Sequence, residues 1–108
     1  IYVENHPREV TALALWDSYP ANSSDLSDNA ISVISIFGTT NGFPNTSNFN
    51  NKKHLLPLDS LYVGIEGANH SQFGDYGFQK GDVEATLTMA DQHEMVAELM
   101  LEFIDTLQ

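Results

Sequence analysis

Apolar residues gather along this chain in three short runs, and the polar stretches between them are rich in turn formers. Val10 to Trp16, V-T-A-L-A-L-W, is nearly unbroken apolar, the pattern of a strand covered on both faces. Ile31 to Phe37, I-S-V-I-S-I-F, mixes β-branched residues with serines and predicts a second strand. Leu61 to Ile65, L-Y-V-G-I, predicts a third that stops at Glu66-Gly67. Between the first two, P-A-N-S-S-D-L-S-D-N-A (20–30) has no periodicity and reads as a loop, close to the shortest connection that can join parallel strands.

The helical signals lie elsewhere. Residues 1–6 read as the last turns of a helix, ended near Pro7 because a residue before proline is pushed out of the helical region. Gly38 to Pro44 is turn chemistry, with Asn41-Gly42 suited to positive φ. A short helix is expected over Ser47 to His54, capped by Thr46 or Ser47, with Lys52, Lys53 and His54 at its carboxyl end and Pro57 closing it. From Met89 to Leu107 the pattern is clearest: Val96, Met100, Phe103 and Leu107 form one stripe, and Glu94, Glu98, Glu102 and Asp105 lie on another face. Thr88 with Asp91 makes a capping-box-like start. Strand, loop, strand, helix, strand, helix is an α/β order.

Composition narrows the partners. With 108 residues the chain is one small domain. A formal charge of −11, from 4 basic and 15 acidic side chains, argues against nucleic acid or an anionic membrane as an electrostatic partner. The absence of cysteine excludes disulfides, thiolate metal sites and a cysteine nucleophile within these residues. No apolar run approaches the roughly 20 residues of a membrane span. His6, His54 and His93 are scattered, Asp25 and Asp28 lack the rest of a calcium loop, and no metal or other cofactor is expected.

One histidine stands apart. His70 follows the third strand within five residues of its last apolar position, Ile65, on a loop at the strand's carboxyl end. Ligands of open α/β sheets gather in the crevice outside those ends, so an imidazole there can serve as a general base and acid; a loop histidine bonded to backbone is the plainer alternative.

The surrounding segment, G-A-N-H-S-Q-F-G-D-Y-G-F-Q-K-G-D (67–82), resembles the stretch around the catalytic histidine in a bacterial group of α/β-hydrolases, G-x-N-H-x-Q-F-G-x-Y-G-x-Q-x-G-D. L-A-L-W-D-S-Y-P-A (13–21) and I-S-I-F-G-T-T-N-G (34–42) fall in the order expected of that family. The resemblance implies a three-layer α/β-hydrolase-like fold, with a partial, mostly parallel sheet of about three strands and flanking helices. It implies that residues 1–108 are the carboxyl-terminal half of such a domain, and a start at I-Y-V-E-N-H-P fits a piece of something longer.

By that resemblance His70 takes a proton from a serine, and an acid orients its other nitrogen. No G-x-S-x-G occurs in the sequence, so the nucleophile is expected to precede Ile1. The family's acid position, glycine, two variable residues, aspartate, glycine, matches Gly38-Thr39-Thr40-Asn41-Gly42, where asparagine replaces the carboxylate. Asn41 either retains a role toward the histidine or merely supplies a turn. Asp17, just after the first strand, is a second candidate, because some α/β-hydrolases carry their acid there and neighbouring strands lie only ~4.8 Å apart. Asn69, Gln72, Tyr76 and Gln79 match the segment and are expected to fix the loop that presents His70.

The implied activity is cleavage of a small-molecule ester or similar acyl compound, with these residues supplying the histidine and inactive without the nucleophile. The alternative is a hydrolase-derived binding or interaction module that no longer catalyses. A partial sheet exposes an edge, so pairing is expected with the amino-terminal half of the same protein or with a second copy.

Overall fold

The computed structural model describes residues 1–39 and 50–108. Three parallel strands, β1 (Ala12–Trp16), β2 (Ser32–Gly38) and β3 (Leu61–Ile65), form one sheet in the order β1-β2-β3. Trp16 sits opposite Ile36, and Gly38 opposite Ile65, so all three strands deliver their carboxyl ends to the same rim. A short helix α1 (Tyr2–Asn5) precedes β1, and the long helix α2 (Met89–Thr106) closes the described chain. Single 3-10 turns occupy Lys53–Leu55 and Ser71–Phe73.

Alternation along the strands loads both faces of the sheet. On one face Ile34, Ile36 and Ile65 pack with Ala68 against Val96 and Phe103 of α2. On the other, Val33 packs with Leu26, Ile31 and Leu56, with Val3, Leu13, Leu15 and Tyr62 at the margin. The arrangement is three-layered, an open α/β sheet with cover on each face. Burying a side chain of the size of Ile36 or Phe103 contributes about 1.5–3 kcal/mol, so a handful of such residues carries most of the core.

The connection from β1 to β2 crosses without a helix, as its polar sequence predicts. It supplies cover through Leu26, whose side chain is buried and whose amide donates to the Leu55 carbonyl at 2.8 Å. β2 is the central strand and is buried on both faces. β1 is not, contrary to the expectation from its apolar run: Ala12 to Leu15 are half-buried and Trp16 is 46% exposed. The reason is its place in the sheet, since β1 pairs only with β2 among the described residues.

α2 begins where the sequence predicts, with the Thr88 hydroxyl accepting from the Asp91 amide at 3.1 Å. Its stripe is shorter than expected. Val96 and Phe103 are buried and Met100 and Leu99 pack beside them, but Leu107 lies past the end of the helix and is exposed. The helix expected over Ser47 to His54 begins outside the described residues; residues 50–52 are helical and run into the 3-10 turn, which buries Leu55.

Candidate functional site

At the rim formed by the strand ends, the chain brings together two residues that are 53 positions apart: the Nδ1 of His70 lies 2.5 Å from the Oδ2 of Asp17. Asp17 follows β1 directly. Its amide continues the sheet pattern by donating to the Ile36 carbonyl at 2.7 Å, but its backbone turns sharply, with φ at 48°. That left-handed conformation is sparsely populated by non-glycine residues, and aspartate is among the few that tolerate it. The turn directs the carboxylate across the end of β2, where its Oδ1 accepts from the Gly38 amide at 3.2 Å.

Asp17 is only 1% exposed, and the His70 side chain retains partial access to solvent. An ionised carboxylate only accepts hydrogen bonds, so with Asp17 ionised the contact calls for the hydrogen on Nδ1, the tautomer whose Nε2 is the basic nitrogen. A carboxylate in this position also stabilises the ring when it is protonated. Since β1 and β3 flank β2, the pair spans two strand spacings, roughly 10 Å at the usual separation.

The loop that carries His70 is held by a dense polar network. Gly67, with φ at 84°, makes the turn out of β3, and its carbonyl accepts from the amides of Thr86 and Leu87 at 2.9 and 3.2 Å. A Cβ at Gly67 would collide with the Thr86 hydroxyl, so the close approach as well as the turn requires glycine. The Asn69 side chain donates to the Val83 carbonyl at 2.8 Å and accepts from the Gln72 amide at 2.9 Å. The Gln72 side chain donates to the Leu87 carbonyl at 3.1 Å and to Gln92 Oε1 at 2.9 Å. Gln92, on α2 and 0% exposed, also donates to the Asn69 carbonyl at 2.9 Å and accepts from the Asn69 amide at 3.3 Å.

A second cluster meets at Asp82. Its Oδ2 accepts from the Ser71 amide at 2.8 Å and from the Ser71 hydroxyl at 2.6 Å, and its Oδ1 accepts from the amides of His70 at 3.3 Å and Val83 at 2.8 Å. The Ser71 hydroxyl oxygen in turn accepts from the Gln79 amide at 2.9 Å. Burial pushes the Asp82 carboxyl up, but the bonds from the Ser71 hydroxyl and the three amides outweigh it and hold the group below its ordinary value of 3.8.

The sequence-derived candidates therefore divide. His70 and Asp17 meet; Asn41 lies outside the described residues. Asn69 and Gln72 hold the loop through their side chains, whereas Gln79 does so through its backbone amide and Tyr76 points outward at 57% exposure. Sequence reasoning assigned nothing to Asp82 or Gln92. Gln92 had a signal: it lies four positions before Val96, a polar residue on the buried stripe of α2. Of the other histidines, His93 donates to the Gln72 carbonyl at 2.7 Å and His6 stacks on Tyr2. Among the described residues no three of His, Asp and Glu gather as metal ligands.

Beside this rim an apolar groove of about 550 Å³ runs between Trp16, Phe73 and the Val96, Met100 and Leu101 side of α2.

An open parallel sheet with layers on both faces, its polar residues collected beyond the strand ends, is the architecture of the α/β hydrolases. The profile of the alpha/beta hydrolase family matches residues 1–94, and the chain belongs to that family. No curated protein and no solved structure matches it.

Proposed function

We propose that this chain is the carboxyl-terminal part of a serine-type ester or acyl hydrolase, with His70 as its general base and acid and Asp17 as the acid that orients the ring. The observation that carries the reading is the 2.5 Å approach of Asp17 Oδ2 to His70 Nδ1 at the carboxyl rim of the sheet. In this mechanism Nε2 of His70 takes the proton of a serine hydroxyl that lies outside these residues, and the serine oxygen attacks the ester carbonyl. The imidazolium then gives its proton to the departing alcohol, leaving an acyl-enzyme. Water, deprotonated by the same nitrogen, releases the acid. Asp17 stays ionised throughout and keeps the proton on Nδ1.

The nucleophile arrives with the amino-terminal half of the same protein, docked along the open edge of β1; a second copy paired there would cover the edge without supplying the serine. Labelling of the full-length protein by a serine-directed fluorophosphonate, abolished by His70→Ala, is the expected result. Labelling that survives His70→Ala would remove the hydrolase reading.

A second reading, a hydrolase-derived interaction module without catalysis, is favoured by the apolar groove at Trp16 and Leu101, the latter 65% exposed. It predicts no labelling of the full-length protein and retained association through that groove.

A further inference from the structure

We infer that Asp82 is a positioning residue for His70: by gathering the amides of His70 and Ser71 it fixes the backbone from which the imidazole reaches Asp17. The inference rests on the proposed role of His70 and deepens it.

His70 opens the 3-10 turn Ser71–Phe73 in helical conformation, with φ −63° and ψ −45°. The first amides of such a turn have no partner within it. Here the Gln72 amide goes to Asn69 Oδ1, while the amides of His70 and Ser71 go to the two oxygens of Asp82. The Ser71 hydroxyl adds a third bond from this segment, and the Gln79 amide ties that hydroxyl to the far side of the loop. Asp82 thereby clamps the residue carrying the ring from eleven and twelve positions downstream.

The consequence for His70 is geometric. Its ring must bridge from the β3 loop to a carboxylate at the end of β1 that accepts from the Gly38 amide, on a residue whose own N–H donates to the Ile36 carbonyl. One end of the Asp17–His70 bond is therefore rigid, and the other is only as rigid as the peptide units of His70 and Ser71. The Asp82 oxygens accept from the backbone amides of His70, Ser71 and Val83 and from the Ser71 hydroxyl. Asp82 acts on where the ring stands, not on its chemistry.

The test uses the full-length protein and two readouts, the downfield Nδ1 proton resonance of His70 and the rate of ester hydrolysis resolved into kcat and KM. Asp82→Asn keeps the size of the side chain but turns an amide toward donors; it should broaden or abolish the resonance and lower kcat by about 10- to 100-fold, with KM within about twofold, as expected when a reacting group is displaced. Ser71→Ala removes the hydroxyl bond and leaves both amide bonds, so it should fold normally and lose a smaller part of kcat. Asp82→Glu, which restores a carboxylate, should recover part of the resonance and of the rate. A resonance and kcat unchanged in Asp82→Asn would overturn the inference, as would an unchanged Ser71→Ala if Asp82→Asn fails to fold. Failure of the underlying reading looks different: the resonance would be absent from the unsubstituted protein or would persist in Asp17→Asn.

Discussion

Asp17 and His70 meet across the end of a strand to which neither belongs: β2 separates them, and its Gly38 amide holds the second oxygen of the carboxylate that the imidazole approaches. The sequence left two positions open for the group that orients the ring, Asp17 and Asn41, and the two readings differ in which substitution costs activity. If Asp17 orients the ring, Asp17→Asn should lower kcat for ester hydrolysis by the full-length protein by about 10³- to 10⁴-fold, because an amide can hold the wrong tautomer and cannot stabilise the imidazolium. Asn41→Ala should change it by less than about threefold, under ~0.7 kcal/mol of barrier. Steady-state kinetics of the two variants checks this, and the reverse order of effects would return the role to Asn41.

The Gln92 side chain is a structural commitment of a different kind. It is the polar residue on the buried stripe of α2, and it joins that helix to the Asn69 and Gln72 part of the histidine loop. Gln92→Leu fills nearly the same volume but strands the amide and carbonyl of buried Asn69 and one donor of Gln72. At about 1–3 kcal/mol for a buried polar group left without a partner, the variant should lose about 3 kcal/mol. Urea unfolding should register this as a lower midpoint at unchanged slope. A loss below about 1 kcal/mol would mean that water replaces the side chain at no cost.

These two residues also mark how far the sequence could be read. The strands were legible because their apolar runs are bounded by turn formers, and β3 has the limits its pattern gives, Leu61–Ile65. The exposure of β1 was not legible, because an apolar run does not say whether a strand has one neighbour or two. His70 was recognisable from its place after β3 and from the wording around it. Its partner was harder to find: Asp17 is an ordinary strand-end aspartate until β2 is placed between it and β3, and that placement is a property of sheet order rather than of any local pattern. Asp82 escaped because the amides it gathers lie eleven and twelve positions away; Gln92 was marked by its place on the buried stripe of α2, but the loop it bonds lies twenty or more positions away.

Asp82 also gives the loop an acid limit. Its folded-state pKa is held below the ordinary 3.8 by the donors around it, so the ionised form stabilises the folded state. For a depressed carboxyl the sign is fixed: the contribution is fully present above the unfolded-state value and is lost as pH falls through the folded-state one. Thermal melts between pH 6 and pH 2 should show the unsubstituted chain losing stability below about pH 4, and Asp82→Asn, already weakened at neutral pH, losing less over the same interval. Parallel curves for the two proteins would show that the Asp82 bonds do not favour the ionised form.

The last prediction concerns the edge that β1 leaves open. Trp16 at its end and Leu101 on α2 border one apolar groove, and a chain with such a surface beside a strand edge that has no neighbour among the described residues lowers its free energy by covering both. The isolated 108-residue chain should therefore associate in sedimentation experiments, but its charge of −11 opposes a second copy. Self-association should accordingly strengthen as salt rises from 0.01 to 0.5 M, because the Debye length shortens from about 30 Å to a few ångströms. Leu101→Glu sets a charge in the groove and should weaken association at least about tenfold, or 1.4 kcal/mol, at every salt concentration. A stable, folded monomer across the whole salt range would show that the groove and the β1 edge are tolerated bare, and would remove the reason to expect a partner there.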